Sequence, residues 1–342
     1  MVDQANDAEV RRLDVTVVLL DDGFTSTAVM PIEVFHAAGA LWPVLKGQAP
    51  APRFNVTTVS IDGGPIRSPY GIQITPETSI EAIGRTDIVV IPSSGLQIDE
   101  KLVANSALVP WLRRQYEQGA FLAGVCVGAA YLAEAGLLDG RVATTHWALA
   151  AQLERRYPQV LWRPEMMVTE EARLLCSGGV TAAADVSLYL VEKLCGHQVA
   201  LECARSLLLG MPRVNQSGYA VLPLSPDHDD DGVRRAEILL QTRCRENLTI
   251  EALADLAGMS PRTLVRRFKA CTGRLPGAYQ QQVRIDLAKA MLERDAKSIQ
   301  SVSAEVGYED AAFFRALFKR STGMTPAEYR GRFAIPALRG AI

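Results

Sequence analysis

The residues best suited to covalent chemistry lie in Gly124-Val-Cys126-Val-Gly128, with His146 twenty residues further on. A cysteine in a Gly-x-Cys-x-Gly turn, between an apolar run and a helical pattern, has the form of a nucleophile elbow. The glycines let the chain turn sharply and keep Cβ atoms away from the sulfur. The helix N-terminus behind the turn is expected to lower the thiol pKa and to hold an oxyanion. An imidazole is the natural proton acceptor for such a thiol. Set against this is a plainer reading, in which Cys126 is a small buried apolar residue and His146 a satisfied core histidine.

A second set of candidates is basic and repeated. Leu264-x3-Phe268-Lys269, Thr272-Gly273, Pro276 and Tyr279 recur fifty residues later as Phe314-x3-Phe318-Lys319, Thr322-Gly323, Pro326 and Tyr329. The preceding helix recurs at an offset of forty-nine: Ile250, Leu253, Ala257 and Gly258 match Ile299, Val302, Val306 and Gly307. In the first copy Thr249 caps a helix that Gly258 ends, and Ser260-Pro261 opens the next. Leu264 and Phe268 face inward, leaving Arg262, Arg266 and Lys269 in water. In the second copy Ser298 and Asp310 cap, Phe314 and Phe318 face inward, and Arg315, Lys319 and Arg320 are free. Each copy reads as a helix-turn-helix whose second helix enters the major groove. Between them Gly277 to Arg294 forms one helical run of roughly 27 Å, long enough to hold two reading helices about one DNA turn apart. A helical bundle with merely solvated charges is the alternative.

The elements that must position these groups fall into two parts. A chain of 342 residues with 48% hydrophobic content suggests two or three domains. The net charge of −2 hides a split. From Gly232 onward there are 19 basic and 11 acidic residues, and before it 17 basic and 27 acidic, so +8 stands against −10. A basic part joined to an acidic one points to a polyanion-binding module attached to something else. From Asp14 to about Gly210, short β-rich runs (Val15–Leu20, Asn55–Ile61, Asp87–Ile91, Ala120–Val125) alternate with helical patterns (Ala28–Ala40, Glu100–Gln118, Val127–Ala135). That alternation predicts an α/β layered domain with a mostly parallel sheet. Two closing helices follow, over Thr181–Leu194 and Gln198–Leu208. The expected division is residues 1–210, a proline-rich acidic linker at 211–231, and an all-α domain at 232–342 with two helix-turn-helix units. The six cysteines show no C-x-x-C and the four histidines are dispersed. This predicts free thiols in a reducing cytoplasm, with no metal and no cofactor. No signal peptide and no membrane span are expected, since the longest apolar run, Phe121 to Ala133, is too short.

Two resemblances sharpen this reading. Glu246 to Phe333 resembles the AraC/XylS type of DNA-binding domain. The stretch Gly307-Tyr-Glu-Asp-Ala-Ala-Phe-Phe-Arg-Ala-Leu-Phe-Lys319, with Gly323-Met-Thr-Pro326 and Tyr329-Arg330, carries the likeness. It implies a transcriptional regulator acting on promoter DNA, with RNA polymerase as a further partner. Arg262, Thr263, Val265, Arg266 and Lys269 of the first reading helix would meet DNA, as would Ala311, Ala312, Arg315 and Lys319 of the second. The two alanines can touch a thymine methyl but donate no hydrogen bond, so base reading should rest mostly on the first unit.

Asp14 to about Gly210 resembles the PfpI-like branch of the class I glutamine amidotransferase superfamily, through the elbow and the Cys126–His146 spacing. Gly136-Leu-Leu-Asp-Gly-Arg-Val-Ala-Thr-Thr-His-Trp147 is similar to the amidotransferase-like domains fused to AraC-type readers. That branch places a glutamate beside its cysteine. Anchored on Pro31-Ile-Glu-Val-Phe35, the position falls near Thr27, which cannot act as a carboxylate base. The expectation is a non-catalytic pocket for a small metabolite, an amino acid or amine. It would be lined by Thr27, Gly95, Cys126, the Val127 backbone, His146 and Trp147, with Gly95 included because ligands bind at strand ends in such sheets. The first domain is also expected to make the protein a homodimer. The rivals are a cysteine hydrolase using Cys126 and His146, and a first domain that serves only to dimerise.

Overall fold

A computed structural model describes residues 11–213, 215–219 and 228–334. The chain forms two compact units, Met1–Gln216 and Ser217–Ile342. The first begins with β1 (Leu13–Val18), α1 (Ser26–Ala37), α2 (Leu41–Leu45), β2 (Phe54–Ser60), β3 (Ile66–Arg67), β4 (Gln73–Ile74) and β5 (Thr78–Ser79). It continues with β6 (Ile88–Ile91), α3 (Ile98–Ala104), α4 (Leu108–Glu117), β7 (Phe121–Val125) and α5 (Gly128–Glu134). Then come β8 (Val142–Ala143), α6 (Ala150–Arg156), β9 (Leu161–Trp162), β10 (Val168–Glu171), β11 (Leu174–Ser177), α7 (Ala182–Cys195) and α8 (His197–Ser206).

Seven strands make one sheet in the order β10-β11-β7-β6-β1-β2-β5. Its pairs are parallel except the β10·β11 edge, which is antiparallel. The continuous apolar runs explain the pairing, because a parallel sheet is buried on both faces. Val17, Val18, Ile88, Val89 and Ile91 are all fully buried. Each such side chain contributes roughly 1.5–3 kcal/mol by leaving water, so a charge at Val89 would break the sheet's centre. From β1 the chain builds outward through β2 and β5, then returns to lay β6 on the other side of β1. The β1/β6 boundary is therefore a topological switch point. The single helix expected over Glu100–Gln118 is two helices, α3 and α4. The break falls at Asn105, whose buried amide donates to Lys101 O at 2.9 Å and to Tyr131 Oη at 3.0 Å instead of staying on a helix surface.

The second unit is helical: α9 (Asp231–Thr242), α10 (Ile250–Ala257), α11 (Pro261–Thr272), α12 (Pro276–Arg294), α13 (Ile299–Glu305), α14 (Ala311–Thr322) and α15 (Pro326–Phe333). It holds two cores. Leu253, Leu264, Phe268 and Tyr279 centre the first, and Val302, Phe314, Phe318 and Tyr329 the second. α12 contributes to both, with Val283 in one and Ile285 and Leu292 in the other. The expected caps form: Thr249, Ser260, Ser298 and Asp310 each accept a backbone N–H of the helix they open. Gly258 is left-handed at φ +70°. Gly307 has φ +90°, and a Cβ there would lie 2.6 Å from Arg245 O.

The stretch expected as a linker, 211–231, is described at 211–213, 215–219 and 228–231. Arg213 forms a multidentate ion pair with buried Asp185 in the first unit, with contacts down to 2.6 Å. Gln216 is buried in the same unit. Ser217 O accepts from Lys289 Nζ at 2.9 Å in the second unit. The acidic run ends as structure: Asp230 caps α9 through Val233 N–H and pairs with Arg267 at 2.7 Å.

Candidate ligand site and nucleic-acid interface

The strand β7 runs into α5 through Cys126, whose φ is +56°. A non-glycine residue there is uncommon and strained. The surroundings hold it: its N–H donates to Ser177 O at 3.0 Å and its carbonyl accepts from Thr145 Oγ1 at 2.9 Å. The two glycines serve the close approach of helix to sheet rather than clearance around the sulfur. A Cβ on Gly128 would sit 2.1 Å from Ile91 O, and one on Gly124 would sit 2.7 Å from Ala129 N.

The thiol is 2% exposed. Burial pushes its pKa up, against the Ser93 hydroxyl and the backbone N–H groups of Val127 and His146, which favour the thiolate. The expected lowering of the thiol pKa is thus reversed, because desolvation outweighs those donors. It is the backbone of His146 that serves the thiol. The imidazole Nδ1 accepts from Ala148 N–H at 3.1 Å, capping a short turn, so the neutral ring carries its proton on Nε2. Burial lowers the imidazole pKa, and no thiolate partner raises it. The ring packs against Gly179, where a Cβ would lie 3.0 Å from Cδ2, and tilts 33° to the ring of Trp147.

Thr27 lies under the loops that follow β1 and β6. It is fully buried, donating to Phe24 O at 2.6 Å and accepting from Ser93 N–H at 3.0 Å. Its hydroxyl proton is spent on the loop after β1, so it staples that loop to the loop after β6 instead of facing a ligand. Gly95 follows β6, two residues beyond Ser93. Its φ is +97°, and a Cβ would lie 2.9 Å from Asp22 O. It lines a cleft of about 490 Å³ with Asp22, Tyr70, Glu100 and Lys101 among others, and none of the other five candidates lines that cleft. Of the candidates, Cys126, Val127 and Thr27 are buried, His146 and Trp147 pack together half-buried, and Gly95 lines the cleft.

Sequence reasoning missed the groups that complete the elbow. The Ser93 hydroxyl faces the Cys126 sulfur and that of Ser94 faces Tyr131, while Ser177 Oγ is buried with no hydrogen-bond partner among the described residues. Gln216 Nε2 donates to Thr145 O at 2.7 Å, to Met166 O at 3.1 Å and to Thr144 Oγ1 at 3.3 Å. Pro92-Ser-Ser-Gly95 was a usable signal for the serines; Gln216 had none, lying in a stretch without periodicity.

In the second unit, Arg262, Arg266 and Lys269 on α11 and Arg315 and Lys319 on α14 are exposed. None of the five has an ion pair among the described residues. Arg267 differs, being held by Asp230. Thr263 and Val265 are half-buried, and Thr263 Oγ1 accepts from Ser260 Oγ at 2.9 Å. Ala311 and Ala312 open α14 beside Phe313, which is 54% exposed. Arg284, at the middle of α12, ties the copies together. It donates to Cys244 O at 2.6 Å, Glu246 O at 3.0 Å, Asn247 Oδ1 at 3.3 Å and Gly307 O at 3.2 Å, and stacks over Tyr308.

The sequence profile of the DJ-1/PfpI family matches residues 15–193, and that of a helix-turn-helix domain matches residues 253–332. The HTH-type transcriptional regulator CdhR of Pseudomonas aeruginosa is 27% identical over 320 residues, spanning 92% of this chain and 89% of that protein. Isonitrile hydratase of Pseudomonas putida is 32% identical over 153 residues, 44% of this chain and 64% of that enzyme. The crystal structure of Drosophila melanogaster DJ-1beta superposes with a TM-score of 0.50 at 23% identity, covering 58% of this chain and all of that one.

Proposed function

Because the chain belongs to the DJ-1/PfpI family and joins that domain to an AraC-type helix-turn-helix domain, as transcriptional regulators do, we propose that its first domain is a non-catalytic sensor. A small metabolite, an amino acid or amine, binds the first domain and controls how the second holds promoter DNA. The observation that carries the non-catalytic reading is the state of the elbow. The thiol is held protonated by burial, the imidazole's acceptor nitrogen is taken by Ala148 N–H, and the hydroxyl proton of Thr27 is spent on Phe24 O. A hydrolase needs an activated thiolate and a proton acceptor, and neither is at hand.

The proposed boundary follows the two units: sensing through Gln216, DNA binding from Ser217. Arg262 and Arg266 read bases, Arg315 and Lys319 hold phosphates, and the regulator works where the promoter and RNA polymerase are. It acts as a homodimer, since a second copy poor in base-reading side chains gains from avidity.

One observation favours the rival reading: an elbow strained at φ +56°, shared in pattern with a family that includes an isonitrile hydratase. Cys126→Ser in the full chain distinguishes them. The sensor reading expects a folded protein with unchanged operator affinity without effector and a shifted effector response. Cys126-dependent turnover of an isonitrile or amide panel would overturn it.

A further inference from the structure

The two reading helices have the same length, twelve residues, and the offset of fifty sets Pro261–Thr272 in register with Ala311–Thr322. Their outer faces are unlike. At about 100° per residue, the exposed arc of α14 runs Arg315, Lys319, Ala312, Ala316, Arg320, Phe313. The same arc of α11 runs Val265, Lys269, Arg262, Arg266, Ala270, Thr263. The first turns of a reading helix meet the base edges. There Ala312, Phe313 and Ala316 stand where the first copy has Arg262, Thr263 and Arg266. Both guanidinium groups able to grip a guanine are gone, and two methyl groups and a phenyl ring take their place.

Phe313 is the one exposed aromatic ring of the second unit among the described residues. It is nonetheless held. Its N–H donates to Asp310 Oδ1 at 3.2 Å, and its ring centroid lies 5.9 Å from that of Tyr308. Tyr308 is itself fixed, 5.8 Å from the ring of Phe314, with the Arg284 guanidinium 5.1 Å over it. A ring held before binding loses little freedom on binding. Its counterpart Thr263 spends its hydroxyl on Ser260, with Oγ1 accepting at 2.9 Å, so the first copy presents nothing similar. Arg315, Lys319 and Arg320 are exposed around the apolar strip. The surface it meets is therefore a polyanion and not the apolar face of a protein. A duplex offers one apolar group in its major groove, the C5 methyl of thymine. The other groups there form hydrogen bonds, and alanines and a phenyl ring would take them from water with nothing in return.

We propose that the second reading helix recognises thymine through its C5 methyl, with the Phe313 ring as the contact and the short side chains of Ala312 and Ala316 admitting it. This rests on α11 and α14 entering DNA, as proposed above, and adds the base that the second one takes. Duplexes bound by the full chain are selected from a random pool. The selected duplex is then made with 2′-deoxyuridine, which lacks only that methyl, at each thymine in turn. Fluorescence anisotropy at fixed salt reads the affinity. The expected result is a thymine fixed about one DNA turn from the guanines taken by α11, and about fourfold weaker binding when deoxyuridine replaces it. Phe313→Ala should bind the thymine and deoxyuridine forms alike, at the weaker affinity, and Phe313→Leu should keep part of the difference. Equal affinity of the unsubstituted chain for the two forms overturns the proposal, and that arm needs no variant to fold. A Phe313→Ala chain that still prefers thymine fourfold, or that binds both forms as tightly as the unsubstituted chain binds thymine, also overturns it. Guanines fixed in one half with no thymine in the other overturn it while leaving base reading by α11 intact. No fixed base at all removes both.

Discussion

Replacing Arg284 by methionine should separate the two halves of the DNA-binding unit without leaving a large hole. The side chain is 7% exposed and occupies the space between the end of α9, the turn at Gly307 and α12. Methionine fills much of its volume but donates nothing. Gly307 O then loses its side-chain donor, while Cys244 O and Glu246 O each lose one of two and keep Gln280 Nε2, at 3.1 and 2.6 Å. A buried acceptor left without a partner costs roughly 1–3 kcal/mol, and a carbonyl that water can still reach costs the low end. Gly307 O is the carbonyl left without a side-chain donor, and the stacking over Tyr308 goes with it, so a total of about 1–3 kcal/mol is expected. That is a large part of the roughly 5–15 kcal/mol that holds a domain. Hydrogen exchange on the full chain reads it locally: amides of α12 and α13 should lose protection by that amount, while β1 and β6 keep theirs. Arg284→Lys keeps one donor near Cys244 O and should fall between. Operator affinity should drop in the same order. A loss in Arg284→Met below about 1 kcal/mol would refute the reasoning, by showing that water replaces the guanidinium at these carbonyls.

Three further outcomes are expected. Arg266→Ala should remove roughly 1–3 kcal/mol of discrimination for the true operator and leave non-specific binding almost unchanged; an equal fall in both, in gel-shift titrations, would make it a phosphate contact. Gly307→Ala adds a Cβ 2.6 Å from Arg245 O at φ +90° and should cost more than about 1 kcal/mol in denaturation, whereas Ala at Gly277, where nothing crowds, should not. Burial depresses the His146 pKa, so as pH falls below about 6.5 the unfolded chain takes the proton first and the first unit loses stability. His146→Gln should flatten that dependence in thermal melts; an unchanged slope would show that another group titrates.

The helix-turn-helix unit was legible almost residue by residue, because local rules fix it. Caps, turn glycines and inward aromatics act within a few positions, and the repeat states each rule twice. The central strands were legible for a similar reason: continuous apolar runs have few other uses. The short strands β3, β4, β8 and β9 were not, since two residues carry no period. The site was half legible. Pattern located Cys126 and His146, but whether a thiol ionises depends on desolvation by groups far along the chain. The partners of Thr27, Phe24 O and Ser93 N–H, come from tertiary packing and had no mark in the sequence. The cleft needs Asp22, Tyr70 and Lys101 together, and no spacing in the sequence relates them.

One feature of the second unit bears on how such a regulator can change. Its two reading helices are joined by α12, nineteen residues with a core packed at each end. Adding a single residue inside that helix would turn one end against the other by about 100° and move it about 1.5 Å. Neither core could follow, and the second reading helix would face away from the groove. Were both helices to enter DNA as proposed, the spacing between the two stretches they reach would be stored as a length of protein. Side chains on α11 and α14 are free to drift and take up new bases one at a time. A promoter whose half-sites lose a base pair between them has no compensating step available in the protein, and leaves the regulator's reach at once.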